Sequence, residues 1–235
     1  MKQFFVILGR LQSPKMDNGY YELSDIEQWT VVYGGVCIRG NSSSHRNDPL
    51  CIIPDIEKNE IRSVILDAAF LRYNCKLGHD WAIIEVKRPI LFSRTIKPIC
   101  LPKPNQEINE LLIVFGWGRQ NGKYHLFIEA SPHLNEIPMR YDPKCEAPYS
   151  DKMPTEVEDY ICAKTMDIND YSLPRICYGQ SGSGMQQRDS NGFARLIGIT
   201  SYGSVGCPPN ELARFTRVDH YLSEICMATG VCDAF

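Results

Sequence analysis

The chain has 235 residues and a formal net charge of −3 at pH 7, from 25 Lys and Arg against 28 Asp and Glu. This balance argues against a protein that binds the phosphate backbone of nucleic acids, because such a protein needs a basic surface. Hydrophobic residues make up 43% of the sequence and charged residues 23%, so the chain can bury a core and is not disordered. No apolar run reaches the length of about 18 residues that a membrane-spanning helix needs.

The N-terminal segment resembles a signal peptide only in part. Its apolar run, Phe4–Leu8, has five residues before Gly9-Arg10, and the apolar region of a signal peptide has about 7–15. We therefore expect any secretory leader to lie outside this sequence.

Short apolar runs alternate with clusters of Gly, Pro, Asn and Asp along the chain, which is typical of an all-β sandwich or barrel. The predicted strands are Trp29–Cys37, Ile61–Phe70, Asp80–Val86, Leu111–Trp117, Tyr124–Ala130, Asp159–Ala163, Ala194–Tyr202 and Ala213–Val218. Near the C-terminus, Asp219 is expected to cap a short helix that runs to about Ala228, with Gly230 just past its end. The sequence therefore predicts a β protein that closes with one short helix.

Ten cysteines are spread along the chain, and none of them forms a C-x-x-C pair. This spacing argues against a structural zinc site, and we expect neither a metal nor a cofactor. An even number of cysteines indicates disulfides and an oxidising compartment, so we expect a secreted protein. The one N-glycosylation sequon, Asn41-Ser42-Ser43, lies in a polar stretch and adds the expectation of a glycoprotein.

The segment Cys177–Gly184 reads C-Y-G-Q-S-G-S-G and surrounds Ser181 with small residues. A nucleophilic serine needs such surroundings, because its Oγ must reach a carbonyl carbon while nearby N–H groups face the oxyanion. An ordinary Gly/Ser turn has the same composition, so this segment alone leaves both interpretations open.

Other segments favour the catalytic interpretation. In chain order they are H-D-W-A-I-I at residues 79–84, P-I-C-L-P at 98–102, G-W-G at 116–118, the serine segment, S-Y-G at 201–203, and the C-terminal helix. In this order the sequence resembles the trypsin/chymotrypsin family of serine peptidases over about residues 60–228. The G-S-G ending and the long cysteine-containing segment before Asp80 are most similar to a divergent branch known mainly from nematodes.

The resemblance implies two antiparallel β-barrels with a peptide-cleaving site in the cleft between them. It implies Ser181 as nucleophile, Asp80 as the carboxylate that orients the triad imidazole, and the N–H groups of Gly179 and Ser181 as the oxyanion hole. It also implies that the substrate cleft is lined by Arg175, Ser201, Tyr202, Gly203 and Ala213.

The resemblance further implies the disulfides Cys177–Cys207 and Cys145–Cys162. The remaining pairs are not fixed by sequence. We expect Cys37 to pair with Cys51, which is close in sequence, and Cys100 to pair with Cys226 or Cys232.

The family's catalytic histidine ends a motif like L-T-A-A-H-C upstream of the aspartate, and residues 1–79 contain no such motif. His79 adjoins Asp80 and would point to the opposite face of a strand. His45 lies in the polar run S-S-S-H-R-N-D, where we expect a solvated side chain. His125, His133 and His220 follow the aspartate and are expected to be surface or structural residues.

Two further positions depart from the family. The residue before the serine is an aspartate in the family, where it pairs with the new N-terminal amine after activation, and here it is the neutral Gln180. The floor of the specificity pocket falls near Arg175, which would repel the Lys or Arg side chain that trypsin accepts. Either the pocket favours acidic or small residues, or Arg175 points to solvent.

We expect residues 1–106 to form an N-terminal barrel that is incomplete in this chain, and residues 107–235 to form the second barrel with the helix. Two hypotheses remain. The first is a serine endopeptidase whose natural form is longer and carries the histidine. The second is a non-catalytic homologue that binds proteins as a secreted decoy. In both, the expected partner is a protein or peptide and the chain is a monomer with negligible activity.

Overall fold

The computed structural model describes residues 4–6, 29–37, 57–72, 77–118, 133–146, 158–203, 206–210 and 212–232. Within these residues the chain is mostly β-structure in two bodies. One is a closed barrel and the other a four-stranded sheet. In the same residues no helix is long and apolar enough to cross a membrane.

Six antiparallel strands close the barrel. They are β5 (Leu111–Gly116), β6 (Asn135–Tyr141), β7 (Tyr160–Thr165), β8 (Gly184–Arg188), β9 (Ala194–Tyr202) and β10 (Ala213–Arg217), in the spatial order β10-β7-β6-β5-β8-β9. Alternate residues of β5 point inward, so Leu112 and Val114 are fully buried, as the two-residue period of a strand requires. They meet Ile137, Met139 and Phe215 in the barrel core.

The second body is a sheet of four strands in the order β1-β4-β3-β2, formed by β1 (Phe4–Val6), β2 (Thr30–Tyr33), β3 (Glu57–Leu66) and β4 (Ala82–Val86). A short helix, α1 (Ala68–Arg72), follows β3. All five residues of β4 are buried, because β4 lies inside the sheet between β1 and β3. The segments 7–28 and 38–56 lie outside the described residues, so the expectation that the first barrel is incomplete stays a prediction.

A shared apolar cluster joins the two bodies. Ala82 and Ile83 of β4 pack with Leu196 and Ile199 of β9, and Ile225 of the C-terminal helix packs into the same cluster. Burial of this apolar surface fixes β4 against the barrel. The N-terminal end of β4 is thereby held next to β9.

The C-terminal helix has a different start from the one predicted. A 3-10 helix (Val218–Tyr221) leads into α2 (Leu222–Thr229), and Gly230 ends α2 with a left-handed backbone, as expected. Asp219 does not cap the helix. Its carboxylate instead binds the Arg217 guanidinium through two hydrogen bonds of 2.8 and 2.9 Å.

Most of the other predicted strands form, with differences in length and number. The predictions for Trp29–Cys37 and Ile61–Phe70 were too long, since β2 ends at Tyr33 and β3 ends at Leu66, two residues before α1 begins. Strands β1, β6 and β8 were not predicted. The predicted strand Tyr124–Ala130 lies outside the described residues, as does the sequon at Asn41.

Three disulfides lie within the described residues. Cys145–Cys162 and Cys177–Cys207 form as the resemblance implied. The prediction for Cys100 was wrong: Cys226 pairs with Cys232, six residues along the chain, and Cys100 is exposed and free. Cys37 is disulfide-bonded, but Cys51, its predicted partner, lies outside the described residues.

A buried carboxylate ties the helical end of the chain to both bodies. Asp159, just before β7, is 3% exposed. Its Oδ2 accepts hydrogen bonds from the Tyr221 hydroxyl at 2.5 Å and from the His79 N–H at 2.6 Å. The His79 ring continues the network, since its Nδ1 lies 2.8 Å from Asp67. Burial, together with the hydrogen bond to Asp159, raises the pKa of the Tyr221 hydroxyl.

Replacing Tyr221 with Phe should destabilise the protein by about 1–3 kcal/mol, because a buried carboxylate loses a donor. Urea unfolding followed by tryptophan fluorescence measures this change, since the chain has three tryptophans. Tyr171→Phe is the matched control, since the Tyr171 side chain is 67% exposed, and it should shift the midpoint very little. Equal effects of the two substitutions would contradict a structural role for the Asp159 network.

Alkaline pH should also destabilise the fold through Tyr160. Burial raises the pKa of its hydroxyl to about 12, above the value of about 10 in the unfolded chain. A raised pKa means that the unfolded state loses its proton first, so the stabilising contribution is present below pH 10 and is lost as the pH rises towards 12. The drop in stability from pH 9 to pH 11 should therefore be smaller in Tyr160→Phe than in the wild type, and an identical drop would contradict it.

Candidate active site

Ser181 lies on a tight loop between the disulfide at Cys177 and the start of β8. The N–H of Gln180 donates to the Cys177 carbonyl at 3.1 Å, and the N–H of Ser183 donates to the Gln180 carbonyl at 2.9 Å. Gly179 and Gly182 have positive φ angles of 87° and 84°, which glycine adopts without steric cost. These two turns leave the Ser181 side chain exposed to solvent.

Asp80 lies just before β4 at the junction of the two bodies, and it is 8% exposed. Its Oδ2 accepts a hydrogen bond of 2.6 Å from the Ser201 hydroxyl. Its backbone carbonyl accepts one of 2.8 Å from the Thr216 hydroxyl on β10. Both donors come from the barrel, so the barrel fixes the position of a carboxylate that the other body carries.

One strand connects the serine loop to this carboxylate. The N–H of Gly182 donates to the Thr200 carbonyl at 2.9 Å, and the N–H of Thr200 donates to the Ser183 carbonyl at 3.0 Å. Ser201, the next residue along β9, binds Asp80. Neighbouring residues of β9 therefore hold the loop of Ser181 and the carboxylate of Asp80 beside the same strand.

The backbone N–H groups of Gly179 and Ser181, expected to bind an oxyanion, make no hydrogen bond to any residue that the structure describes. The Ser181 hydroxyl makes none there either. Donors of this kind are available to a bound acyl group, as stabilisation of a developing negative charge requires.

Gln180 is fully buried beneath the serine loop. Its Oε1 accepts a hydrogen bond of 3.0 Å from the Ser183 hydroxyl. A neutral amide satisfied in this way avoids the cost of a buried unpaired charge.

The G-W-G segment at residues 116–118 packs closely against Gln180. A side chain on Gly116 would overlap the Gln180 Oε1 and the Ser183 hydroxyl, and one on Gly118 would overlap the Gln180 backbone. The Gly118 carbonyl accepts a hydrogen bond of 3.0 Å from the Asn135 side chain. Two glycines are thus required here because the serine loop approaches this segment closely.

Arg175 does not point to solvent, and that alternative was wrong. The residue is 3% exposed. Its Nε donates to the Cys207 carbonyl at 2.6 Å, and its Nη1 donates to the carbonyls of Tyr171 and Leu173 at 3.1 and 3.2 Å. The guanidinium therefore lies inside the protein, between the segment before Cys177 and its disulfide partner Cys207.

The other positions expected in the cleft lie at adjoining ends of β9 and β10. Ser201 is buried, Tyr202 is half-buried and Gly203 is exposed. Arg214 pairs with Tyr202, so the buried Ala213 lies at the same edge of the barrel as Gly203. These ends lead towards Cys207 and hence towards Arg175.

The described histidines make contacts elsewhere. The Nδ1 of His79 lies 2.8 Å from Asp67 and 3.2 Å from the Tyr221 hydroxyl. The ring of His220 packs on the ring of Tyr221 with centroids 4.9 Å apart, and the backbone of His133 bridges to Cys37. His45 and His125 lie outside the described residues. The described part of the chain also contains no cluster of His, Cys, Asp and Glu that could hold a metal ion.

Three parts of the site were not predicted from the sequence. Two are Thr216, which binds the Asp80 backbone, and Ser183, which binds Gln180. The third is the room that the glycines of G-W-G leave for the serine loop. Only the glycines had a signal in the sequence, because paired glycines beside a tryptophan indicate a close backbone approach.

Comparison with known proteins identifies related sequences. Residues 52–225 match the family model described as Trypsin. The chain is 31% identical over 164 residues to Clotting factor C of Tachypleus tridentatus, and 27% identical over 146 residues to Phenoloxidase-activating factor 1 of Holotrichia diomphalia. These matches cover 63% and 61% of this chain, and 15% and 38% of the relatives. The chain therefore spans well under half the length of these two relatives.

Gly116→Ala should displace the serine loop, because the new Cβ would overlap two atoms that carry the hydrogen bond between Gln180 and Ser183. We expect a loss of roughly 3 kcal/mol or more in the free energy of unfolding, as for other overpacked sites. Gly192→Ala is the control, since a Cβ there meets open space and only the positive φ opposes it, at about 1 kcal/mol. Urea unfolding measures both changes. A loss of unfolding free energy in Gly116→Ala that is no larger than in Gly192→Ala would contradict close packing of Gly116 against the serine loop.

Proposed function

The chain belongs to the trypsin family, and on that basis we propose that it binds a protein or peptide segment in the cleft beside Ser181 and hydrolyses it at a negligible rate. The protein would then be a non-catalytic homologue of the family's serine endopeptidases. The observation that carries the proposal is the buried neutral Gln180 under the serine loop.

Gln180 supports the proposal that cleavage to a new N-terminus does not activate this chain. In the family that this chain resembles, an aspartate here pairs with a new N-terminal ammonium and thereby orders the oxyanion loop. A carboxamide cannot replace a buried carboxylate that faces an ammonium. Removing one partner of a buried ion pair costs about 3–5 kcal/mol, and a neutral residue bound to Ser183 avoids that cost because it leaves no charge to compensate.

The histidines support negligible hydrolysis. His79 bonds to Asp67 and Tyr221, which engages its Nδ1 in a structural network. His45, in its polar run, stays the one candidate base upstream of Asp80. Serine peptidases that lose a triad member retain only about 10³–10⁴-fold of rate enhancement over water.

A second candidate function, an active serine endopeptidase, is favoured by one specific contact. The hydrogen bond from Ser201 to Asp80 holds the carboxylate as a triad aspartate would need to be held, and the Ser181 hydroxyl is exposed. An imidazole between these two groups would complete the catalytic set.

We also propose an extracellular location, with the chain acting as a monomer. The described disulfides support it, because such bonds persist in oxidising compartments. Glycosylation at Asn41 belongs to the same proposal.

An active-site fluorophosphonate probe separates the two candidate functions. Incubated with the purified 235-residue chain, it should label Ser181 to well under a tenth of stoichiometry in the time that trypsin needs for full labelling. The reason is that phosphonylation requires an activated serine. Intact-mass spectrometry measures the labelled fraction. Stoichiometric labelling that Ser181→Ala abolishes would overturn the proposed inactivity.

Gln180→Asp provides the matched variant for this assay. The carboxylate would be buried without a partner cation, so we expect lower stability and no gain in labelling. Gln180→Glu keeps the side-chain length and should behave in the same way. A rise in Ser181 labelling in either variant would show that position 180 alone limits activity.

A further inference from the structure

We propose that Arg175 gives the cleft a binding site for a carboxylate, namely the side chain of an Asp or Glu in the bound protein segment. This inference rests on the proposed function, because it specifies which segment the cleft binds. Arg175 is only 3% exposed, so its guanidinium lies inside the protein.

The hydrogen bonds of Arg175 leave part of its guanidinium available. The group carries five N–H donors, and three contacts with carbonyls engage the Nε and Nη1 atoms. Nη2 has no acceptor among the residues that the structure describes. The two N–H donors of Nη2 are therefore left for a ligand.

The charge of Arg175 is balanced by the dipoles of three carbonyls and by the Tyr171 ring, whose centroid lies 5.9 Å from the guanidinium carbon. In the described part of the chain the guanidinium forms no ion pair with a carboxylate. Hydrogen bonds from Ser172 lower the pKa of the Asp170 carboxyl, and the charge of Arg175 lowers it further by a smaller amount. Asp170 itself bonds to the hydroxyl and N–H of Ser172. A buried cation without a counter-ion is costly, so an incoming carboxylate gains by pairing with it.

The carbonyl bonds also hold the guanidinium in one orientation. Its acceptors lie in two separate segments, residues 171–173 and Cys207, and the disulfide Cys177–Cys207 joins those segments. An arginine held in this way loses little side-chain entropy when it binds a ligand. A lysine or arginine side chain would be repelled, and an amide would receive a weaker hydrogen bond than a carboxylate does.

The position of Arg175 puts its charge near the cleft beside Ser181. It lies two residues before Cys177 and six before Ser181, and Gly203 and Ala213 lie at the barrel edge that leads to Cys207. A peptide residue beside Ser181 could thus extend its side chain towards Nη2. A carboxylate at that point would form charge-assisted hydrogen bonds in the low-dielectric interior.

Fluorescence anisotropy with three peptides tests the proposal on the wild-type chain. The probes are rhodamine-labelled hexapeptide amides of alanine that carry one central Glu, Gln or Lys, since a rhodamine stays fluorescent at acidic pH. We expect the Glu peptide to bind about 10- to 100-fold more tightly than the Gln peptide, as for hydrogen bonds that involve a charged partner, and the Lys peptide to bind most weakly. Gly203→Trp, placed at the exposed edge of the cleft, should weaken all three.

The outcomes separate this inference from the function on which it rests. Equal binding of all three peptides would overturn the carboxylate site and leave peptide binding in place. Binding of none of them would overturn both proposals. Tighter binding of the Lys peptide would show that the guanidinium does not face the ligand.

Two variants assign the preference to Arg175. Arg175→Met should remove the difference between Glu and Gln peptides, and Arg175→Lys should retain part of it because it keeps the charge without the fork. A Met variant that keeps the full preference would overturn the proposal. Because the side chain also binds three carbonyls, the Met variant can fail to fold, and its melting temperature is measured first.

A pH titration of the wild type needs no variant. The ligand carboxyl protonates near pH 4.3 while arginine stays charged. The ratio of Glu to Gln peptide affinity should therefore fall by about four- to sevenfold between pH 7 and pH 3.5, because about one seventh of the carboxyl groups stay ionised at the lower pH. A ratio that is unchanged between about pH 7 and 3.5 would overturn the proposal.

Discussion

The hydrogen bond from the Ser201 hydroxyl to the Asp80 carboxylate is the interaction on which the arrangement of the cleft depends. Both residues are buried. If the Ser201 hydroxyl were removed, little water could reach the Asp80 carboxylate to replace the lost hydrogen bond. Asp80 comes from the segment that leads into β4, and Ser201 comes from the barrel. The neighbour of Ser201, Thr200, binds the serine loop, so the position of Ser181 relative to Asp80 follows from the geometry of β9.

The serine loop is ordered here without a buried ion pair beneath it. Gln180 bonds to Ser183 and packs on two glycines of the G-W-G segment, so steric fit and a neutral hydrogen bond hold the loop. An ion pair in the same place would need both partners, since a single buried charge is strongly destabilising.

The sequence predicted those features that depend on local chemistry or on motif order. The Cys177–Cys207 pair followed from segments in family order, and β9 followed from its long apolar run. Strand β6 was missed because Pro138 lies inside it, opposite Ile113, and a proline argues against a strand. Strand β8 was missed because G-M-Q-Q-R has a single apolar residue, Met185, and this one points into the barrel.

The features that the sequence could not predict are those in which distant segments satisfy a charged group. The burial of Arg175 depends on carbonyls of Tyr171, Leu173 and Cys207, and no local pattern reports that these meet. The same holds for Asp159, whose partners His79 and Tyr221 lie far away along the chain. Asp219 was misassigned for a related reason: a carboxylate that can cap a helix can equally bind an arginine two residues earlier.

Arg175 and Gln180 flank Cys177 on the same short segment. Both residues are less negative than the acids that the family resemblance and trypsin-type specificity imply at these positions. Where the family resemblance implies an acid before the serine, and trypsin-type specificity an acid at the pocket floor, this chain has a neutral amide and a buried cation. The carbonyls and disulfide that hold Arg175 are the structural ties of the fold, so the change leaves the barrel intact. Under the proposal that Arg175 binds a carboxylate, both changes act in the same sense, because each makes the cleft more favourable for carboxylates and less favourable for basic side chains. The proposed selectivity is opposite to that of trypsin on the same scaffold.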